Sequence, residues 1–138
     1  MITIKKQEIV KLEDVLHLYQ AVGWTNYTHQ PEMLEQALSH SLAIYVVLDG
    51  DAVVGLIRLV GDGFSSVFVQ DLIVLPSYQR QGIGRSLMKE ALEDYKDAYQ
   101  VQLVTDQTER TLEFYRSMGF ETLSTYDCTG MIWVNREK

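Results

Sequence analysis

The chain has 138 residues, 46% of them hydrophobic and 22% charged, which suits one folded domain, 1–138, with a real core and argues against disorder. A formal net charge of −7 and a pI near 4.8 argue against nucleic acid as a partner, because binding along a phosphate backbone relies on basic patches. No apolar run spans a bilayer, Met1 to Lys6 holds no apolar signal core, and the lone Cys128 forbids an internal disulfide, so a cytoplasmic protein without a membrane partner is expected.

Ile2 to Glu8 alternates loosely and reads as a strand. Leu12, Val15, Leu16 and Tyr19 recur at helical spacing, and Gly23 is a stop signal. Trp24-Thr25-Asn26-Tyr27 reads as a polar-aromatic loop, and Pro31 opens a second helix carrying Met33, Leu34, Ala37 and Leu38. Ala43 to Leu48 is a strand, Asp49-Gly50-Asp51 a hairpin turn, and Val53 to Val60 the returning strand. After the turn Gly61-Asp62-Gly63 comes a strand from Val67 to Leu75. A helix follows from about Arg85 to Asp97, then a short strand, Val101 to Val104. Asp106 or Thr108 caps a helix containing Leu112, Phe114, Tyr115 and Met118, which Gly119 ends. Glu121 to Tyr126 and Met131 to Asn135 read as closing strands. The order β-α-α-β-β-β-α-β-α-β-β is a mixed α/β fold with one βαβ crossover.

Chemistry concentrates at Gln79-Arg80-Gln81-Gly82-Ile83-Gly84-Arg85-Ser86, between a strand and a helix. Glycine lets backbone N–H groups approach a ligand closely, and a helix N-terminus favours an anion, so a phosphate-bearing ligand is expected. Arg80, Arg85 and Lys89 gather at this helix start in an acidic chain. Cations there oppose the helix dipole by roughly 0.3–1 kcal/mol each, a penalty that a bound pyrophosphate reverses; the alternative, preferred for Lys89, is that Arg85 and Lys89 only solvate the helix. A nucleotide-triphosphate loop would need Lys-Ser/Thr where Arg85-Ser86 stands. A dinucleotide fingerprint would need a third small residue where Leu87 stands, and would leave the strand directly.

Gln79, Gly82 and Gly84 fit the spacing Gln/Arg-x-x-Gly-x-Gly/Ala. Leu72-x-Val74-x-Pro76 precedes it, and Phe114-Tyr115-Arg116-Ser117-Met118-Gly119-Phe120 follows. With these motifs in this order, the chain resembles the GCN5-related N-acetyltransferase (GNAT) superfamily, here a small single-domain member of bacterial type, along nearly its whole length. The family often has Asn in the turn before the late helix and Ala one turn in, where this chain has Thr108 and Thr111.

The resemblance implies a centrally split sheet flanked by helices, the acyl-CoA N-acyltransferase fold. It implies acetyl-CoA as co-substrate and transfer of its acetyl group to a primary amine by direct attack in a ternary complex. It implies that Gln79, Arg80, Gln81, Gly82, Ile83, Gly84, Arg85 and Ser86 hold the cofactor's phosphates, and that Leu72, Ile73 and Val74 offer main-chain partners to its pantetheine arm. It also gives Tyr115 the role of hydrogen-bond donor to the leaving thiolate. The alternative for Tyr115 is a core aromatic beside Leu112 and Met118.

Asp71 stands just before Leu72, on the face of Ile73, and is the candidate base. A paired strand carboxylate and a water chain are its alternatives. Trp24 and Tyr27 fall where the family lines its acceptor pocket, with packing against the sheet as the alternative for Trp24. His17, His29 and His40 have no metal-ligand spacing, and His29 suits a surface or capping role. Cys128 lacks an activating neighbour and reads as a small apolar filler. The expected acceptor is a small amine or a peptide amine, and the expected state a monomer or homodimer. The rival reading is an acyl-CoA-binding module without turnover.

Overall fold

The computed structural model describes residues 1–135. Five strands form one mixed sheet in the order β1-β2-β3-β4-β5. β1 (Ile2–Gln7), β2 (Ala43–Asp49), β3 (Ala52–Gly61) and β4 (Ser66–Val74) pair antiparallel, and β5 (Gln100–Leu103) pairs parallel with β4. The helices are α1 (Leu12–Ala21), α2 (Thr25–Thr28), α3 (Pro31–Ser39), α4 (Ile83–Asp94) and α5 (Glu109–Ser117). Contacts divide the chain into two compact units, Met1–Val104 and a second that begins at Thr105.

In the first unit the sheet is covered on both faces. Val15, Leu18 and Tyr19 of α1 and Leu34 and Leu38 of α3 pack on Ile44, Val46, Leu56 and Ile73. α4 lies against β2, β3 and β4 and buries Ile83, Leu87, Met88 and Ala91. Its far end is tied down by the Tyr45 hydroxyl, which donates to Asp94 at 2.6 Å. Covering both faces explains the near-continuous apolar runs of β2 and β3. Among the described residues, no helix is long and apolar enough to cross a membrane.

Glycines set the direction of the chain where it reverses. Gly23 has φ +72° after α1. Its N–H donates to the Gln20 carbonyl, and the Trp24 N–H donates to that of Tyr19. This is a Schellman ending, and it folds Trp24 back over α1. Gly61 has φ +125°, and a Cβ there would lie 2.4 Å from the Ser66 carbonyl oxygen. The following turn is closed by Asp62, whose carboxylate accepts from the backbone N–H groups of Phe64, Ser65 and Ser66 and from the Ser65 hydroxyl. Those donors hold the Asp62 carboxyl well below the usual carboxylate range.

Several sequence expectations are corrected. Trp24-Thr25-Asn26-Tyr27, read as loop, runs into a single helical turn, Thr25–Thr28. α4 starts two residues before Arg85 and ends at Asp94 rather than Asp97. The expected strand Glu121–Tyr126 contains a 3-10 turn, Leu123–Tyr126, because local bonds such as Cys128 N–H to the Leu123 carbonyl take up the backbone. Met131 to Asn135 is neither helix nor strand, and Met131, Ile132 and Trp133 are exposed. Cys128 is exposed, not a filler.

Gly61→Ala combines a forbidden φ with a backbone clash, so it is expected to cost about 1–3 kcal/mol. Urea unfolding of the variant beside the wild-type protein measures the loss.

Candidate functional site

The sheet supplies its own opening. β5 pairs with β4 only from Ser66 to Val69, whereas β4 continues to Val74. On the other edge of β4, Val69 pairs with Leu59 and Asp71 with Arg58, so Gln70 is an extra residue, a β-bulge. The bulge lies where the β4–β5 ladder ends. From it on, residues 70–74 have no ladder partner on the β5 side among the described residues, and their backbone groups are left for other acceptors and donors.

Beyond β4 the chain makes a 3-10 turn, Pro76–Tyr78, and returns a side chain to the strand. Gln79 Nε2 donates to the Val74 carbonyl at 3.0 Å. Arg80 (φ +66°) and Gly82 (φ +79°) both take the left-handed conformation, and α4 begins at Ile83. A Cβ on Gly82 would meet nothing within 4 Å, so the cradle is open there. Ser86 is a helix residue whose N–H and hydroxyl both reach the Gly82 carbonyl at 3.0 Å. The amides of Ile83 and Gly84 open α4, where no intrahelical carbonyl accepts them. The first turn of α4 carries no acidic residue. Open amides, a positive dipole end and basic side chains suit an anion.

Asp71 and Arg58 face each other in register across β4 and β3, 2% and 4% exposed. Arg58 Nε donates to Asp71 Oδ2 at 2.7 Å. The Tyr19 hydroxyl donates to Oδ2 at 2.8 Å, and that of Tyr27 to Oδ1 at 3.0 Å. Arg58 also donates to the Tyr27 oxygen (3.2 Å), the Ser41 hydroxyl (3.2 Å) and the Ala37 carbonyl (3.5 Å). Asp71 is thus a paired carboxylate, one of the alternatives read from the sequence. Burial lowers the proton affinity of the Arg58 guanidinium, and Asp71 more than offsets this, leaving it raised. Burial, then the Asp71 charge, pushes the Tyr19 and Tyr27 phenols up.

The rings of Trp24 and Tyr27 lie 6.3 Å apart and form a triangle with that of Tyr19. The Tyr19 ring lies 6.1 Å from that of Trp24 and 5.1 Å from that of Tyr27. Trp24 is half-buried against the core. Tyr27 is 9% exposed and turns its hydroxyl inward to Asp71. His29 stands at the C-cap position of α2 and is exposed.

Tyr115 belongs to the second unit. There Thr108 caps α5, its hydroxyl accepting from the Thr111 N–H, while Asp106 accepts from the Thr108 N–H at 2.9 Å. Gly119 closes α5 with a Schellman pattern that mirrors Gly23: the Gly119 N–H donates to Arg116 and the Phe120 N–H to Tyr115. Phe120 therefore stacks edge-on to Tyr115 at 5.9 Å, with Phe114 at 5.0 Å. Burial, with the Asp106 charge added, raises the Tyr115 phenol, so it keeps its proton at neutral pH.

Arg58, Tyr19 and Gln70 were not read from the sequence as site residues. A signal for the first existed: Arg58 is a lone charge in an apolar strand, as Asp71 is in the next, and buried charges occur in pairs.

Comparison with known proteins bears on this geometry. The sequence model of the Acetyltransferase (GNAT) domain matches residues 40–122. GCN5-related N-acetyltransferase 1, chloroplastic, of Arabidopsis thaliana is 28% identical over 134 residues, covering 95% of this chain and 66% of that protein. Serotonin N-acetyltransferase 2, chloroplastic, of Oryza sativa subsp. japonica is 30% identical over 66% of this chain and 48% of its own length. The chain thus spans half to two thirds of these curated relatives. Among solved structures, the GNAT-family acetyltransferase SP0256 of Streptococcus pneumoniae TIGR4 is 84% identical, with a TM-score of 0.90 over 99% of both chains. A probable acetyltransferase of Staphylococcus aureus, SA2161, is 26% identical, with a TM-score of 0.81 over 98% of this chain and 100% of its own. The fold is that of these acyl-CoA N-acyltransferases.

Asp71→Ala strands a buried guanidinium and is expected to cost about 3–5 kcal/mol. The double variant Arg58→Met with Asp71→Leu should recover part of this but not all, since two tyrosine hydroxyls still lose an acceptor. Equal losses in the two unfolding curves would contradict the pairing. The phenols give a second test. Their pKa values are raised on folding, so the stability they carry is complete below the unfolded value of about 10 and is lost as pH rises through the folded values. Unfolding midpoints should therefore decline above about pH 10, and less steeply in Tyr27→Phe.

Proposed function

The chain belongs to the GNAT acetyltransferase family, and from that premise we propose that it moves an acetyl group from acetyl-CoA to a primary amine by direct attack in a ternary complex. The observation that carries this reading is the joining of an open glycine turn at the start of α4 to the unpaired edge of β4. One holds a pyrophosphate; the other holds an amide-bearing arm. The family match at residues 40–122 crosses the boundary between the two units, which supports treating them as one acetyltransferase domain.

Acetyl-CoA supplies an activated thioester. The amides of Ile83 and Gly84, with Arg80 and Arg85, would hold its phosphates, as would the loop Gln79-Arg80-Gln81-Gly82; Ser86 would join them only by turning its hydroxyl away from the Gly82 carbonyl. The main chain of Leu72, Ile73 and Val74 would align its arm, and an N–H of that strand would polarise the thioester carbonyl. Tyr115 would donate to the leaving sulfur. A phenol near 10 does not fully protonate a thiolate near 8.5 in isolation, so this is stabilisation by a hydrogen bond more than proton transfer. Trp24 and Tyr27 would flank the amine.

The proton lost by the amine is assigned to a water chain rather than to Asp71. Asp71 is 2% exposed and already takes three donors. Protonating it would leave Arg58 buried without a counter-charge. Its part is to hold Tyr27. We read the protein as cytoplasmic and its acceptor as a small amine or peptide amine.

The test is release of CoA thiol from acetyl-CoA with a panel of amines. Transfer is expected from the wild-type protein. Gly82→Leu should lose acetyl-CoA affinity while melting as a folded protein, and Tyr115→Phe should lower kcat by about tenfold, ~1.4 kcal/mol, with little change in cofactor affinity. Cofactor binding without thiol release for any amine would contradict the enzyme reading and leave a binding module.

A further inference from the structure

We propose that Gln70 is a substrate-binding residue whose side-chain oxygen, Oε1, accepts an N–H of the incoming amine and so selects acceptors bearing an N–H donor. This deepens the acetyltransferase reading and rests on it. It follows from the directions that the buried network forces on its hydrogen bonds.

Asp71 faces the Arg58 cation at 2.7 Å and, as a carboxylate, can only accept. The Tyr27 hydroxyl must therefore spend its one proton on Asp71 Oδ1. Its oxygen is left with two lone pairs. Arg58 Nη2 takes one at 3.2 Å and Gln70 Nε2 takes the other at 3.4 Å. The hydroxyl is then saturated and has nothing for a ligand. Gln70 has to present its NH2 to Tyr27, because the reverse orientation would set two acceptors against each other. Its carbonyl oxygen is thereby turned away from the network. Among the described residues no donor is bonded to Oε1.

Position adds a second argument. Gln70 is the extra residue of the bulge, it is exposed, and it sits one residue past the end of the β4–β5 ladder. It stands where the unpaired edge of β4 begins and beside Tyr27 of the aromatic cluster. An amine placed between these would meet Oε1 as the outermost acceptor of the chain Arg58–Asp71–Tyr27–Gln70. Accepting one N–H orients the nitrogen and leaves its lone pair for attack.

The experiment measures steady-state kinetics with acetyl-CoA and the best of butylamine, phenethylamine and a lysine-containing peptide. Gln70→Met keeps the length and removes the acceptor. It should raise the amine KM by about tenfold, the worth of one hydrogen bond to a polar partner, with the acetyl-CoA KM and the melting temperature unchanged. Gln70→Asn keeps the amide on a shorter arm and should raise the amine KM less than Gln70→Met does. An amine KM within about twofold of wild type in Gln70→Met, or an equal rise in both KM values, would overturn the assignment while leaving the acetyltransferase reading intact. Failure of the wild-type protein to acetylate any of the three amines would overturn both.

Discussion

A single buried ion pair, Arg58 with Asp71, organises the first unit of this chain. Removing both charges from water is costly, and only good geometry with further hydrogen bonds offsets it. Here Asp71 takes three donors and Arg58 reaches two hydroxyls and a carbonyl besides. Such a pair contributes little net stability over an apolar substitute, yet it tolerates one arrangement only. That arrangement fixes the β3–β4 register at Arg58–Asp71, and so leaves Gln70 as the bulge. The bulge coincides with the end of the β4–β5 ladder, and the freed edge is where we propose that the co-substrate's arm binds. The same pair dictates which way each hydrogen bond points from the core to the surface.

Two helix endings do related work in the two units. At Gly23 and at Gly119 a left-handed residue turns the chain, so that the next aromatic, Trp24 or Phe120, comes back over a tyrosine, Tyr19 or Tyr115. Both tyrosines are candidates for the site or its support. Their phenols are pushed up by burial, which keeps them as donors near neutral pH. Arg80, Arg85 and Lys89 set three basic side chains at the start of α4 in an acidic chain. There the absence of an acid in the first turn, against the common pattern, leaves the dipole for a ligand.

Much of this was legible in the sequence, for physical reasons. The hairpin at Asp49-Gly50-Asp51, the endings at Gly23 and Gly119 and the glycine turn before α4 are local, set mainly by glycines that take left-handed backbone angles without strain. The face of Asp71 followed from strand alternation. What stayed hidden was non-local. The bulge at Gln70 depends on register against β3, and the partners of Asp71 come from α1, α2 and β3. The closing strands were misread because Glu121 to Tyr126 holds the strand formers Thr122, Thr125 and Tyr126, while its backbone closes short turns instead. Acetyl transfer is written in motifs that the family shares, whereas the acceptor is read by side chains brought together only by folding.

The central claim is that the freed β4 edge and the glycine turn form one site for a coenzyme A thioester. Backbone amide NMR of the protein titrated with acetyl-CoA tests it most directly. The account predicts shifts concentrated in Gln70 to Val74 and Gln79 to Ser86, and no comparable response to NAD. Shifts confined to the turn without β4, or an equal response to NAD, would contradict it.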